Sequence, residues 1–298
     1  MRLITGNGLV GSALNGNLKI SSKDYDLRDN LQVKRMFEKY KPSEVIHTAG
    51  KVGGLGSNMN YKGEYFYDNI MMNTNVIEQS RLYGVEKLVA FLSTCIFPDN
   101  VNYPLIESVI HDGKPHFSND AYAYAKRMTD IQIRAYREQY GLNYKSVIPT
   151  NIYGPNDNFS LEHGHVVPML IHKMYLSVVN KEPFVVWGSG KPLREFIYSK
   201  DVALLTEWVL KDYDEDEPII LSTSNEVSII ELVDLLVQEF NFKGKVIFDK
   251  TKPDGQFRKP SDNTKIKHYL PNFEFTPIEV GIKDTVKWFI ENYESTRK

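Results

Sequence analysis

The sequence has almost no cysteine: one residue, Cys95, among 298. A disulfide framework is therefore excluded, and a reducing compartment fits. Charge of one sign is also missing. Lys and Arg number 36 against 38 Asp and Glu, a formal net charge of −2, so no basic excess exists to neutralise phosphates and a general nucleic-acid binder is excluded. No apolar stretch approaches the roughly 18 residues of a membrane span. The first residues carry neither a basic n-region nor a long apolar h-region. These absences predict a cytoplasmic protein with no membrane or nucleic-acid partner, and no metal site is expected. What remains is ordinary for a globular chain, 42% hydrophobic and 25% charged.

Strand-like and helix-like segments alternate through the first half, which predicts an α/β fold of Rossmann type, a doubly wound parallel sheet. Residues 1–5, 18–21, 44–49, 88–92 and 144–149 read as strands, and 31–40, 65–83 and 121–140 as helices. Later strands are expected at 184–187, 218–222 and 246–248, and later helices at 167–178, 200–210, 229–239 and 278–292. A break at Gly154-Pro-Asn-Asp-Asn158 divides the chain. Residues 1–158 with roughly 195–225 read as a dinucleotide-binding domain, and 159–194 with 226–298 as a smaller α/β substrate-binding domain.

Gly6, Asn7, Gly8, Leu9, Val10 and Gly11 follow the first strand directly. Glycines at these spacings permit a tight turn and the close approach of a pyrophosphate. Asn15-Gly-Asn17 then cuts the first helix short. Counting about 20 residues from the glycines reaches Asp26, but with a truncated helix the second strand ends near Ser21. Ser21, Ser22 and Lys23 suit a 2′-phosphate, which favours NADP, while Asp26 and Leu27 would lie beside the adenine. The alternative is that Lys23 is simply a solvated turn lysine.

Tyr-x-x-x-Lys occurs at Tyr83/Lys87 and at Tyr122/Lys126. The first crosses from a helix end into a strand, so it reads as structural. The second lies within one helix, where residues four apart share a face. There an ammonium is expected to lower the phenol pKa, and the phenol can protonate a carbonyl oxygen as hydride arrives. Ser93, at the carboxyl end of the fourth strand, would be a second donor to that oxygen. Two residues on stands Cys95. Alone it would read as a small apolar filler; beside Ser93, Tyr122 and Lys126 it reads as catalytic.

These residues resemble the extended short-chain dehydrogenase/reductase family, and within it the enzymes that convert GDP-4-keto-6-deoxy-D-mannose into GDP-L-fucose. The matching segments are His47-Thr-Ala-Gly-Lys-Val-Gly-Gly54, Ser93-Thr-Cys-Ile-Phe-Pro98, Tyr122-Ala-Tyr-Ala-Lys126 and Ile148-Pro-Thr-Asn-Ile-Tyr-Gly-Pro-Asn-Asp-Asn158. They continue with His165-Val-Val-Pro168, Val186-Trp-Gly-Ser-Gly190, Arg194-Glu-Phe196 and Lys252-Pro-Asp-Gly255. The glycine loop departs from the family pattern by being one residue shorter.

The resemblance implies C3/C5 epimerisation by Cys95 and His165, then NADPH-dependent reduction of the C4 ketone by Ser93, Tyr122 and Lys126. A thiol and an imidazole both titrate within reach of neutrality; which is base and which acid stays open. His163 and His172 compete with His165, but only His165 precedes Val-Val-Pro. The resemblance places Phe91, Leu92, Ser93, Thr94, Lys126, Pro149, Thr150, Asn151, Ile152 and His165 along the cofactor, and Lys173, Trp187, Arg194 and Asp254 on the GDP-sugar. It also implies a homodimer through helices 65–83 and 121–140, and a metabolic link to a GDP-mannose 4,6-dehydratase. The alternatives are another sugar-nucleotide 4-reductase, 4-epimerase or 4,6-dehydratase of the same fold, or a non-catalytic NADP-sensing protein.

Overall fold

The structure is a computed structural model that describes the backbone of residues 1–298 and every side chain except that of Leu55. The first half alternates as the sequence predicts, with α3 as an additional helix it does not predict: β1 (Arg2–Thr5), α1 (Leu9–Ala13), β2 (Leu18–Ile20), α2 (Asn30–Tyr40), β3 (Glu44–His47), α3 (Leu55–Asn60), α4 (Lys62–Leu82), β4 (Lys87–Phe91), α5 (Asp120–Tyr140) and β5 (Asn143–Pro149). The second half holds β6 (Asn151–Tyr153), α6 (Val166–Asn180), β7 (Phe184–Trp187), β8 (Leu193–Tyr198), α7 (Ser199–Asp212), β9 (Ile219–Leu221), β10 (Glu226–Ser228), α8 (Ile229–Glu239), β11 (Val246–Asp249), α9 (Thr264–Tyr269) and α10 (Ile278–Glu291).

Six strands form one parallel sheet in the order β2-β1-β3-β4-β5-β9. Helices cover both faces, so β4 can read Lys-Leu-Val-Ala-Phe with four of its five residues buried. The order reverses between β1 and β3, and ligands bind outside the carboxyl ends of strands at such a switch point. The glycine turn after β1 and residues 48–54 after β3 flank that crevice.

Local chemistry ends the elements where they must end. Asp29 caps α2 by accepting from the backbone N–H of Leu31 and Gln32, and Gly141, at φ 66°, stops α5 in the left-handed region. The first helix is five residues long. Gly16 lets the chain turn tightly after it, because a Cβ there would stand 2.5 Å from the Ile4 Cδ1.

β6 leaves the large sheet directly after β5 and joins β8 and β10 in a separate three-stranded sheet, and β7 pairs with β11. One core lies under the large sheet with α1 and α7, around Ile4, Val89, Val147, Val202 and Val209. A second joins α6, α8 and α10 around Phe159, Leu170, Phe184, Leu232 and Phe289. Among the described residues no helix is long and apolar enough to cross a membrane.

Candidate active site

The glycine turn is built for a close approach. Gly6 has φ +106°, and a Cβ there would stand 2.6 Å from Thr48 Oγ1; a Cβ on Gly11 would stand 1.7 Å from the Gly6 carbonyl. Only bare backbone fits, which is the cradle a dinucleotide pyrophosphate requires. Val10 is buried in the core with Leu9 packed beside it, so these two offer backbone rather than side chain.

Ser22 and Lys23 form an exposed turn after the half-buried Ser21. Asp24, absent from the sequence-based reading, organises it by accepting from the Ser21 N–H at 2.8 Å and Ser21 Oγ at 2.7 Å. Asp26 pairs with Arg28 at 2.7 Å, and Leu27 is buried in the core. On the other side of the crevice Phe91 and Leu92 are buried. The Thr150 N–H donates to the Leu221 carbonyl at 3.0 Å, and Asn151 Nδ2 to the Glu195 carbonyl at 2.8 Å. Pro149 ends β5, while Thr94 and Ile152 are half-buried.

The candidate reacting groups collect at the carboxyl end of β4. Ser93 caps a single 3-10 turn, Thr94–Ile96, with its Oγ accepting from the Cys95 N–H at 3.3 Å. Tyr122 on α5 is buried edge-on against Tyr65, ring centroids 6.3 Å apart. Burial pushes its phenol well above the ordinary tyrosine range, the Cys95 thiol adds to this, and hydrogen bonding with Ser93 opposes it.

The expected lowering of the phenol by Lys126 does not occur. Lys126 Nζ donates to the Phe91 carbonyl at 2.8 Å, and burial pulls its own pKa down to about 8. Tyr122 therefore stays protonated, the form in which it can donate. The other Tyr-x-x-x-Lys match is split as expected, for Tyr83 donates to Glu38 and Lys87 to the Lys211 carbonyl.

His165 stands at the first boundary position of α6, with no side-chain hydrogen bond to the helix end. The residue as a whole is exposed, yet the protein crowded around its imidazole disfavours the imidazolium and lowers its pKa. The preceding loop is tied across the crevice, since the Gly54 N–H donates to the His163 carbonyl at 3.3 Å. His172 is a core residue held by the Phe159 carbonyl at 2.8 Å.

The four sugar-nucleotide candidates also converge. Trp187 is 55% exposed, with Lys173 Nζ 4.5 Å and Lys252 Nζ 5.6 Å from its ring centre. Asp254 accepts from the Ser189 N–H at 2.8 Å and Ser189 Oγ at 2.7 Å. Arg194 is shifted down by burial and held up by Asp254. It does not pair with Glu195, which the alternation of β8 sends to the opposite face, buried against Ser222 and Ser261.

Comparison with known proteins agrees with this geometry. Residues 3–222 match the model of the NAD dependent epimerase/dehydratase family. The chain is 48% identical to the GDP-L-fucose synthase of Dictyostelium discoideum, covering 99% of this chain and 97% of that one. It is 44% identical to a probable GDP-L-fucose synthase of Drosophila melanogaster, covering 99% of each. The crystal structure of a GDP-L-fucose synthetase from Naegleria fowleri bound to NADP superposes with a TM-score of 0.94 at 47% identity, over 100% of this chain and 94% of that one. The chain belongs to the NAD dependent epimerase/dehydratase family.

Three features of this family member escaped sequence reasoning. Arg127, next to Lys126, is buried and donates to the Ile96 carbonyl at 2.5 Å and the Gly113 carbonyl at 2.6 Å, anchoring the Cys95 turn to α5. Thr5, His47, Asn73 and Thr129 form a buried relay beneath the crevice, with contacts of 2.6, 2.9 and 2.8 Å. Burial and then the Lys126 charge push His47 down to about 3, so it is neutral. Lys259 is shifted down by burial; Cys95 and Asp99 favour its charge while Arg194 opposes it. A basic residue beside a helix motif, or a lone lysine in a polar loop, carries no periodic signal that marks it out.

Proposed function

We propose that this chain makes GDP-L-fucose from GDP-4-keto-6-deoxy-D-mannose, first epimerising C3 and C5 and then reducing the C4 ketone with NADPH. The observation that carries it is the gathering of Ser93, Cys95, Tyr122 and Lys126 at one strand end, in a chain 48% identical to a GDP-L-fucose synthase over nearly its whole length. The C4 carbonyl acidifies the hydrogens at C3 and C5. Cys95 and His165 act as the acid/base pair, one removing a proton from one face of the sugar and the other returning one from the opposite face. NADPH, when bound, supplies the hydride that reduces C4. Tyr122 gives its proton to O4, Ser93 holds that oxygen, and Lys126 orients the cofactor beside Phe91. The exposed Trp187 ring and the Lys173 and Arg194 cations hold the GDP portion, with Asp254 beside them.

A 4,6-dehydratase would want a carboxylic acid where Cys95 stands, and a 4-epimerase needs no thiol, so these readings are not favoured. Residues 1–158 with roughly 195–225 form the cofactor unit, and 159–194 with 226–298 the sugar-nucleotide unit. Two copies pair through α4 and α5. A GDP-mannose 4,6-dehydratase supplies the substrate, and a single free thiol suits the reducing cytoplasm.

Incubation with GDP-4-keto-6-deoxy-D-mannose and NADPH tests the assignment: absorbance at 340 nm falls and NMR identifies GDP-L-fucose. An unchanged absorbance sinks the reductase step. In deuterated water, Cys95→Ser is expected to fold and bind NADPH but to stop deuterium entering C3 and C5. Undiminished uptake would remove Cys95 from the mechanism.

A further inference from the structure

The pyrophosphate of a bound dinucleotide carries two negative charges, yet the cationic residues already assigned to the cofactor stand elsewhere. Lys23 lies at the 2′-phosphate end and Lys126 at the reacting end. A third cation sits over the glycine turn itself. The Arg297 guanidinium, from the segment that follows α10, lies 3.3 Å from where a Cβ on Gly8 would stand. Gly8 is the second glycine of the turn, the one left bare so that pyrophosphate can approach the backbone.

Arg297 reaches this position across the crevice. Its Nη2 donates to the Asn156 carbonyl at 2.9 Å, and its own carbonyl accepts from the Phe159 N–H at 2.8 Å. The segment after α10 thus bridges the loop following β6 to the turn following β1. Among the described residues, that one carbonyl is the only hydrogen-bond partner of the guanidinium, which leaves further N–H groups for a ligand. Asp157 is within its field, but burial pushes that carboxyl up to about 7, so it is a weak competitor. One Asp157 oxygen and the Thr296 hydroxyl are buried without partners at the same junction.

We propose that Arg297 is the counter-charge of the dinucleotide pyrophosphate and that its segment straps the cofactor into the crevice. This rests on the NADPH reading above. The pyrophosphate is common to NADPH and NADH, whereas the 2′-phosphate belongs to NADPH alone, and that difference separates the roles. Calorimetric titration of Arg297→Gln is expected to show both dinucleotides weakened by the same factor, about 10- to 100-fold for a lost charge-assisted hydrogen bond. Arg297→Lys should fall between. Lys23→Ala should weaken NADPH and leave NADH unchanged.

Arg297→Gln without cofactor should melt with the wild type and bind GDP equally well, because the side chain is exposed and touches the turn rather than the Trp187 cleft. Equal dinucleotide affinity in Arg297→Gln, or a loss confined to NADPH, overturns the proposal; so does a matching loss of GDP binding with a lower melting temperature. A wild type that binds neither dinucleotide overturns the NADPH reading itself.

Discussion

Lys126 shows the balance between function and stability in a single residue. Its ammonium is buried and donates to the Phe91 carbonyl, and burial lowers its pKa from 10.5 to about 8. A shift of that size corresponds to about 3 kcal/mol. The unfolded chain binds the proton more tightly, so the folded state is penalised in full below pH 8. The penalty fades as pH rises from 8 towards 10.5, and folding stability climbs with it. Lys126→Met is therefore expected to raise the melting temperature of the cofactor-free protein at pH 7 and to lose that advantage near pH 10.5, while 340 nm turnover disappears. Thermal melts across pH check this; a variant less stable than wild type at pH 7 would mean that the Phe91 hydrogen bond outweighs desolvation.

At the scale of elements, the placement of Cys95 depends on how its turn is fastened to α5. Arg127 does this with two short bonds to carbonyls of the loop. Arg127→Leu leaves both carbonyls without this partner, and each unsatisfied buried group costs about 1–3 kcal/mol. We expect a loss of about 2–4 kcal/mol in denaturant unfolding. Deuterium exchange at C3 and C5 should fall further than NADPH affinity, since the loop carries Cys95 whereas the glycine turn is untouched. Equal losses in both would make Arg127 a general stabiliser. Such a residue is illegible in sequence because a buried arginine looks like a solvated one until its carbonyl partners are known. The long elements were legible, since β4 is a continuous apolar run and α5 ends at a glycine. β6 (Asn-Ile-Tyr) and β10 (Glu-Val-Ser) lack the apolar run that marks the equally short β9 (Ile-Ile-Leu), and β8 interrupts its pattern with Arg194 and Glu195. That Cys95, Tyr122 and Lys126 come together at the end of β4 was readable from spacing and resemblance. The direction of the Tyr122 shift was not, because sequence shows that two residues share a helix face but not that the lysine turns to a backbone carbonyl.

For the whole molecule, α4 and α5 pack side by side and leave an apolar surface facing outward. Tyr124, Met128 and Ile131 recur at helical spacing on α5 and are 37–40% exposed; Phe66 and Tyr67 on α4 are 43% and 57% exposed. Each helix has 21 residues, about 30 Å at 1.5 Å per residue, enough length for the roughly 800 Å² per partner of a stable dimer. A two-fold axis brings the same patch of both copies together, so like charges placed there repel. Sedimentation of the wild type is expected to give about twice its 34.3 kDa, with a melting temperature that rises with protein concentration. Met128→Glu combined with Ile131→Glu should sediment as the 34.3 kDa chain and melt independently of concentration. Its helical circular dichroism should be retained, because both side chains face away from the core. A wild type that is monomeric at micromolar concentration, or a double variant that still pairs, would assign this apolar face to something other than a second copy.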